Sequence, residues 1–374
     1  MDLVDRDLII VGGGPVGASL ARAAHGLSVA LLAHERRVSA PRKERFDARV
    51  YALSPANVAF LGLELDRLSP VHAMRVYGDG DSRIEFDAYR AGVAALAYIV
   101  EDSALQDALW EGLEPVVGRC EGLEVDEARV RVRLDGAREL SGRLVVAADG
   151  AESRVREFAG IKVASRAYGQ AAVVANFECE RAHANVAYQW FQAGPVLALL
   201  PLPGAHVSMV WSLPSDEASR VEALEPEALC RELEGASRRV LGGFRLVTPA
   251  RTYALRRLSA RRLVAPRVAL AGDAAHVIHP LAGQGLNLGF QDVRTLSRIL
   301  SAREPVRDAG DWKLLRRYER ARAEPILAMD AMVDGLQRFF GAQGAVAGRL
   351  RNHGLNLTNR LEVVKNLLIR QAMN

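Results

Sequence analysis

The stretch DLIIVGGGPVG, residues 7–17, decides the fold of this chain of 374 residues. Its apolar run ends in glycines, as a buried parallel strand does, and the small residues of 15–25 predict a helix. The run SVALL, residues 28–32, supplies the next strand. This strand–helix–strand order predicts an α/β fold built on a Rossmann-like parallel sheet.

The glycines between the first strand and the first helix form a GxGxxG pattern. Gly12 permits a tight turn, Gly14 lets the backbone approach a pyrophosphate, and Gly17 lets helix and strand pack closely. Free amides at the start of the helix favour bound phosphate. Glu35 follows the second strand, where its carboxylate can accept hydrogen bonds from ribose hydroxyls. The acid favours FAD or NAD over NADP, and the loop alone does not separate the first two.

Two later strand ends carry further candidate residues. The run 144–156 ends its strand in Asp149 and Gly150, a pair that a β-turn before a helix N-cap would also explain. The run 268–276 ends its strand in Gly272 and Asp273, and a helix is predicted from about Gly285. Asp273 can accept a hydrogen bond from a ribityl hydroxyl, while the helix amides at 283–287 can stabilise negative charge on a reduced flavin.

These three motifs, in this order, resemble the group A flavoprotein monooxygenases, the family typified by para-hydroxybenzoate hydroxylase. The resemblance covers residues 7 to about 300. The runs 47–54, 199–203 and 272–292 are most similar to the ubiquinone-biosynthesis hydroxylases. The resemblance implies that Arg49 and Gln106 also lie against FAD, with Asp149 near its pyrophosphate. Asp102 departs from the pattern, since relatives often have asparagine there, and it is given no role. The cofactor-binding candidates are Gly12, Gly14, Pro15, Gly17, Glu35, Arg36, Arg49, Gln106, Asp149, Gly272, Asp273, Gly283, Gly285, Leu286 and Asn287.

The resemblance also implies an activity. The chain would be a FAD-dependent monooxygenase that hydroxylates the ring of a polyprenyl phenol in ubiquinone biosynthesis through a flavin C4a-hydroperoxide, with O2 as co-substrate. No second GxGxxG occurs, so NAD(P)H would dock transiently or another protein would deliver electrons. Three alternatives stay open: a hydroxylase of another aromatic compound, a reductase of a prenyl chain, and a catalytically silent flavin-binding scaffold in a multiprotein assembly.

Residues 171–212 alternate between apolar and polar positions, which predicts a second, largely antiparallel sheet. The expected FAD-binding domain comprises 1–70, 100–165 and 265–300; the sheet domain comprises 71–99 and 166–264; a helical C-terminal region comprises 301–374. A monooxygenase needs an apolar pocket that excludes water. The apolar residues of the second sheet could line this pocket or form an ordinary core. The pocket candidates are Tyr188, Trp190, Leu199, Met209 and Trp211.

Histidines in the third motif are the remaining candidates for chemistry. His276 and His279 are three positions apart, but no carboxylate or cysteine completes a ligand set, so no metal is predicted. The flavin carries the chemistry, and no catalytic residue is assigned. His279 and Pro280 are the candidates for the reacting edge of the flavin.

The composition bounds the partners and the compartment. Basic and acidic residues number 49 and 45 and are interspersed, so the net charge of +4 does not indicate nucleic-acid binding. Three separated cysteines favour a reducing cytoplasm, and no signal peptide or membrane span is predicted. Residues 344–374 form a basic amphipathic segment, which either packs on its own domain or lies peripherally on the inner face of the membrane.

Overall fold

A computed structural model describes residues 5–37, 46–65, 67–78, 82–191, 194–279 and 284–341, with side chains up to 335. The strands in chain order are β1 (Asp5–Val11), β2 (Val29–Ala33), β3 (Val50–Leu53), β4 (Ser69–Val71), β5 (Ala73–Tyr77), β6 (Arg83–Asp87), β7 (Ala97–Glu101), β8 (Val116–Val117), β9 (Cys120–Val125), β10 (Val130–Leu134), β11 (Glu139–Ala147), β12 (Val163–Cys179), β13 (Val186–Phe191), β14 (Val196–Leu202), β15 (His206–Pro214), β16 (Phe244–Leu246), β17 (Arg251–Ala260), β18 (Val264–Ala265), β19 (Val268–Leu270) and β20 (His276–Val277). The α-helices are α1 (Pro15–Ala23), α2 (Pro55–Leu61), α3 (Asp102–Trp110), α4 (Arg154–Phe158), α5 (Ser215–Glu222), α6 (Pro226–Ala236), α7 (Gly285–Ser301) and α8 (Trp312–Gly341).

The first sheet has the order β18-β19-β11-β1-β2-β8, and its strands from β19 to β8 run parallel. Strands β9 and β10 extend it as an antiparallel meander from β11. Leu8, Ile9 and Ile10 are completely buried, in one core cluster with residues of α1, α7, α8 and β10. The prediction of a Rossmann-like parallel sheet is confirmed.

The second sheet has the order β20-β17-β12-β15-β14-β13-β5-β6, with β16 on the other end of β12. Its pairs are antiparallel except for β13 with β5, which confirms the prediction of a largely antiparallel sheet. A small sheet of β3, β7 and β4 adjoins it. The segments of the two large sheets alternate along the chain, with β12 beginning at Val163 and β20 joining the second sheet after β19 of the first.

Helices α7 and α8 complete the described chain. Helix α7 packs against α1, and α8 packs against α7, with Pro325 inside α8. This agrees with the predicted helical C-terminal region as far as residue 341, and the amphipathic segment 344–374 lies outside the described residues. Among the described helices, none combines the length and the apolar character that crossing a bilayer requires.

Candidate active site

The predicted motifs meet at one edge of the parallel sheet. Strands β2, β1, β11 and β19 run in the same direction, with Val11 in register with Leu32 and Ala147, and Ala147 with Leu270. The turns that follow these strands therefore lie side by side at the carboxyl edge, where ligands of open α/β sheets bind. They carry Gly12–Gly14, Glu35, Asp149 and Asp273.

The three motif glycines differ in what a Cβ atom would meet at each position. A Cβ on Gly12, whose φ is 119°, would lie 2.1 Å from the Ala148 carbonyl oxygen, and one on Gly17 would lie 1.9 Å from the Gly12 oxygen. Both positions therefore exclude a side chain. A Cβ on Gly14 would meet nothing within 4 Å. Gly14 is the N-cap of α1, which has no side-chain cap, so open space lies beside free helix amides as an anionic group requires.

Trp110 fixes the glycine loop from the end of α3, a role that the sequence did not reveal. Its Nε1 donates a hydrogen bond to the Gly13 carbonyl oxygen at 2.9 Å. A Cβ on Gly13 would lie 2.6 Å from the indole ring and 2.9 Å from the Ala33 methyl group. The indole therefore determines the path of the loop between β1 and α1.

Asp149 lies beside the same loop, and one of its two carboxylate oxygens is hydrogen-bonded to the protein. Its Oδ2 accepts hydrogen bonds from the amides of Arg154 at 2.9 Å and Val155 at 3.3 Å, so it caps α4. Its Oδ1 is buried and has no hydrogen-bond partner among the described residues. Burial raises the pKa of Asp149, against these hydrogen bonds. The unpaired oxygen leaves one acceptor for a ligand.

Asp273 lies within electrostatic range of Arg49 at the carboxyl edge. The Asp273 side chain is exposed but has protein on most sides, which raises its pKa, while the charges of His276 and Arg49 oppose the shift. The Arg49 guanidinium lies 5.0 Å from the ring centre of Tyr51 and 5.9 Å from that of Tyr253. Because Tyr253 belongs to β17, Arg49 marks the place where the second sheet meets the cofactor motifs.

Asp102, the departure from the family pattern, has a defined place. Its carboxylate accepts hydrogen bonds from the Tyr51 hydroxyl at 2.9 Å and from Gln106 Nε2 at 2.8 Å. Burial raises the pKa of Tyr51 far above its ordinary value, so the phenol keeps its proton. Asp102 therefore holds Gln106, a cofactor candidate, and Tyr51, the neighbour of Arg49.

The Gly272–Asp273 turn is held by an aspartate that sequence analysis overlooked. Asp292 of α7 is fully buried, and its Oδ2 accepts hydrogen bonds from the Gly272 amide at 2.9 Å and His276 Nε2 at 2.7 Å. Arg322 of α8 donates to Oδ1 at 2.6 Å. Burial opposes ionisation, yet these partners together lower the pKa of Asp292. Its position inside the run 272–292, already singled out, was the available signal.

The two histidines have different partners and do not form a metal pair. His276 contacts Asp292, whereas His279 Nε2 lies 3.1 Å from Gln170 Oε1, with the Tyr168 ring edge-on at 4.8 Å. Burial lowers the pKa of His279 to about 4, so its imidazole is neutral near pH 7. The described residues contain no cluster of three His, Cys, Asp or Glu able to hold a metal ion. Pro280 and Gly283 lie outside the described residues.

The start of α7 is joined to α2 through Asn287. Its buried Oδ1 accepts hydrogen bonds from the Ser54 amide at 2.8 Å and Asn57 Nδ2 at 2.9 Å, and its Nδ2 donates to the Ala52 carbonyl at 2.8 Å. The Asn287 side chain is thus committed to the protein. A cofactor contact from Gly285, Leu286 and Asn287 would come from their main chain.

Glu35 and Arg36 lie in the turn after β2, and both side chains are exposed. Arg36 forms a surface ion pair with Glu114 at 2.6 Å. Glu35 remains available at the carboxyl edge, next to the glycine loop, as a ribose ligand must be.

The five pocket candidates of the second sheet lie in an ordinary core, which is one of the two alternatives that the sequence left open. They are buried in one cluster with the apolar faces of α5 and α6. A period of two separates the faces of a sheet without showing which one meets the cofactor. The candidates placed in this core are Tyr188, Trp190, Leu199, Met209 and Trp211.

The opposite face of this sheet meets the cofactor motifs. Asn176 of β12 donates from Nδ2 to the Asp47 carbonyl at 2.6 Å, and Tyr253 contacts Arg49. On the same face, Ala198 and Val210 are register partners on the central strands β14 and β15, yet both are half-buried. We call Ala198, Val210 and the neighbouring half-buried Gln189 the open strip. Small side chains that keep some exposure in the middle of a sheet leave room for a ligand.

Comparisons with known proteins agree with this geometry. A family model described as an FAD binding domain matches residues 117–331. The chain is 34% identical to the ubiquinone hydroxylase UbiL of Rhodospirillum rubrum, over 98% of this chain and 89% of that protein. It is 31% identical to the 3-demethoxyubiquinol 3-hydroxylase of Escherichia coli, over 98% of each chain. The crystal structure of the p-nitrophenol 4-monooxygenase PnpA from Pseudomonas putida shares the fold, with a TM-score of 0.79 and 18% identity over 100% of this chain and 99% of that one.

Proposed function

The chain belongs to the family of FAD-dependent monooxygenases that includes the ubiquinone hydroxylases, and from this premise we propose that it hydroxylates the aromatic ring of a polyprenyl phenol in ubiquinone biosynthesis. The observation that carries the proposal is the open strip, which lies on the sheet face that meets the FAD motifs. Relatives named for ubiquinone substrates and similar over nearly the whole chain support this substrate class.

The carboxyl edge fits FAD. The open space at Gly14 and the uncapped start of α1 would receive the pyrophosphate, Glu35 the ribose, and Asp273 the ribityl chain. The unpaired Oδ1 of Asp149 supplies a further acceptor beside the loop. When bound, FAD would supply the redox chemistry by which two electrons from NAD(P)H and one O2 give a hydroxylated ring, with the second oxygen atom leaving as water.

The protein's own contribution is to bind, orient and keep water out. The open strip would hold the ring, because Ala198 and Val210 present small apolar side chains that keep some exposure. His279 is neutral and buried, so it can donate or accept one hydrogen bond without bringing a charge into a dry site. Arg49 and Tyr51 close the side of the site next to Asp273.

The test is product analysis after turnover with isotopically labelled O2. The FAD-loaded chain, NAD(P)H and a short-chain prenylphenol should yield a product that carries one labelled oxygen atom per ring. A product that has gained hydrogen and no oxygen would indicate the reductase instead. Consumption of O2 with release of hydrogen peroxide and no change in any phenol tested would reject the hydroxylase. Turnover of simple phenols but not of prenylphenols would move the substrate class to another aromatic compound.

A further inference from the structure

The sheet face that carries the open strip continues as an apolar surface to the end of the second sheet. Ala198 is in register with Gln189 of β13, and Gln189 with Val76 of β5. Val76 is in turn in register with Ile84 of β6, the last strand in the order of this sheet. Residues two positions along each strand from this row lie on the same face. Those that are apolar and only half-buried are Leu200 of β14, Met74 of β5 and Phe86 of β6.

Charged side chains of the outer strands lie on the opposite face. Arg75 of β5 and Glu85 of β6 are register partners there, and they form an ion pair at 3.3 Å. The face of the open strip instead leaves Met74 and Phe86 partly exposed. Apolar side chains that keep exposure on two adjacent outer strands form a surface that a hydrocarbon ligand would cover favourably.

Two buried apolar clusters border this surface. The first contains Val76 and Ile84 and is completed by Val333 of α8. The second contains Ile99 of the small sheet. Met74 packs against both clusters. The half-buried side chains therefore form the floor of a groove between α8 and the small sheet, which we call the edge groove. Its floor consists of Ala198, Leu200, Met74 and Phe86.

The edge groove has the length of a short isoprenoid chain. Neighbouring strands are about 4.8 Å apart, so across the sheet Met74 lies two strands or about 10 Å from Ala198, and Phe86 three strands or about 14 Å. An extended isoprene unit has four chain bonds of about 1.5 Å and advances about 5 Å. About two units therefore span the distance to Met74, and about three units the distance to Phe86.

We propose that the edge groove binds the isoprenoid chain of the substrate, with the ring at the open strip and the far end of the chain leaving the protein at β6. The inference rests on the proposed function and adds where the chain lies. The groove continues directly from the open strip, which would hold the ring. Met74 is joined by the half-buried Met329 and Met332 of α8, and flexible thioether side chains adapt to a chain of varying conformation.

The test is the binding of prenylphenols of increasing chain length to the FAD-loaded full chain, followed by the change in flavin absorbance without NAD(P)H. Burying one methylene group tightens binding about fourfold, so each of the first three isoprene units should lower the dissociation constant by about fourfold or more. Further units should each add less than about twofold, because they lie beyond β6 and stay in water.

Two variants should act at different chain lengths. Met74→Gln places an amide in the floor and should weaken the binding of chains with two or more units by about fivefold or more, whereas Phe86→Gln should do so only for chains with three or more. Leu246→Gln is the matched control. Leu246 is half-buried on β16 of the same sheet, against the cluster covered by α5 and α6, and its variant should leave the dependence on chain length unchanged.

The outcomes separate this proposal from the hydroxylase. A dissociation constant that does not change with chain length in the native protein would overturn the groove, even where a short prenylphenol is hydroxylated. Chain-length-dependent binding without incorporation of labelled oxygen would support the groove and reject the hydroxylase.

The variants decide the remaining alternatives. Native flavin absorbance and native affinity for the phenol with one unit would show that they are folded. An equal loss for one unit and for four units in Met74→Gln would overturn the groove, since that variant would then act on the ring or on the fold. Unchanged prenylphenol binding in both groove variants, with loss of binding to phosphatidylcholine vesicles, would assign the groove to a membrane acyl chain and overturn the isoprenoid.

Discussion

Asp292 Oδ2 lies 2.7 Å from His276 Nε2 in the interior of the protein, and the same oxygen accepts the Gly272 amide hydrogen bond. Arg322 completes the arrangement from α8. One carboxylate therefore joins α7, α8 and the turn that presents Asp273. Because Asp292 is fully buried, protein groups alone stabilise its charge, and the turn depends on that charge.

Asp292→Asn should destabilise the protein and loosen the turn. The amide is neutral and leaves the buried Arg322 guanidinium without its counter-charge, and breaking a buried pair in this way costs about 3–5 kcal/mol. Chemical denaturation should show this loss, and FAD should dissociate faster. Glu232→Gln, which breaks an exposed ion pair with Arg220, is the control and should cost less than about 1 kcal/mol. Equal stability of Asp292→Asn and the native protein would contradict this account.

Acid should destabilise the protein partly through His279. Its pKa is about 4 in the folded state against an ordinary value of 6.5, so the unfolded chain binds a proton first as the pH falls. Burial of the neutral imidazole therefore costs no stability above about pH 6.5. As the pH falls from 6.5 to about 4, the free energy of unfolding decreases progressively, by about 3 kcal/mol in total. Asp292, whose pKa is lowered, adds a second loss below its ordinary value of 3.8. His279→Gln should flatten the unfolding free energy between pH 6.5 and 4, and an unchanged slope would argue against a buried neutral imidazole.

The fold could be predicted because its signals are local. The glycine loop, the alternating strands and the ends of the strands at Asp149 and Asp273 depend on neighbours within a few residues. The structure brings the turns after these strands together at one edge of the parallel sheet. The roles of Trp110 and Asp292 depend on partners 97 and 20 residues away, Gly13 and Gly272. Such distant pairs leave no periodic pattern in a single sequence.

Gly14→Ala and Gly17→Ala should separate ligand binding from folding. A Cβ on Gly14 enters open space, so the apo protein should keep its stability, whereas FAD should bind at least tenfold more weakly because the methyl group occupies the pyrophosphate space. A Cβ on Gly17 would lie 1.9 Å from the Gly12 oxygen, so that variant should fold poorly or not at all. Thermal unfolding without FAD and fluorescence titration with FAD measure the two effects. Full FAD affinity in Gly14→Ala would show that the pyrophosphate does not occupy this space.

Glu35→Ala and Asp273→Ala should each weaken FAD binding without unfolding the protein. Both side chains are exposed at the carboxyl edge, and loss of a hydrogen bond to a charged group costs about 1.5 kcal/mol, which is about tenfold in the dissociation constant. Glu114→Ala is the matched control, since this exposed acid pairs with Arg36 and has no predicted cofactor contact. An effect of Glu114→Ala as large as that of Glu35→Ala would mean that the measurement reports local surface charge.

The alternation of apolar and polar residues could not show which face of the second sheet lines the site. Trp190 and Met209 alternate as regularly as Ala198 and Val210, and their size makes them the more conspicuous candidates. Large apolar residues face the side where helices must be packed, because only there can their surface be fully buried. A ligand needs unfilled space, so the small residues of the opposite face mark it.

Ala198→Phe should therefore block the substrate and spare the flavin. The new ring would fill the open strip, so the KM for a prenylphenol should rise at least tenfold and O2 consumption should end in peroxide, while FAD affinity stays within about twofold of the native value. Ala254→Phe is the matched control. Ala254 lies on the same sheet and is exposed, and it is in register with Ala171, which belongs to the core cluster on the face covered by α5 and α6. Steady-state kinetics with and without substrate, together with peroxide assay, measure the effect. Native kinetics in Ala198→Phe would place the ring elsewhere, and a loss of FAD in that variant would show that the open strip contacts the cofactor instead.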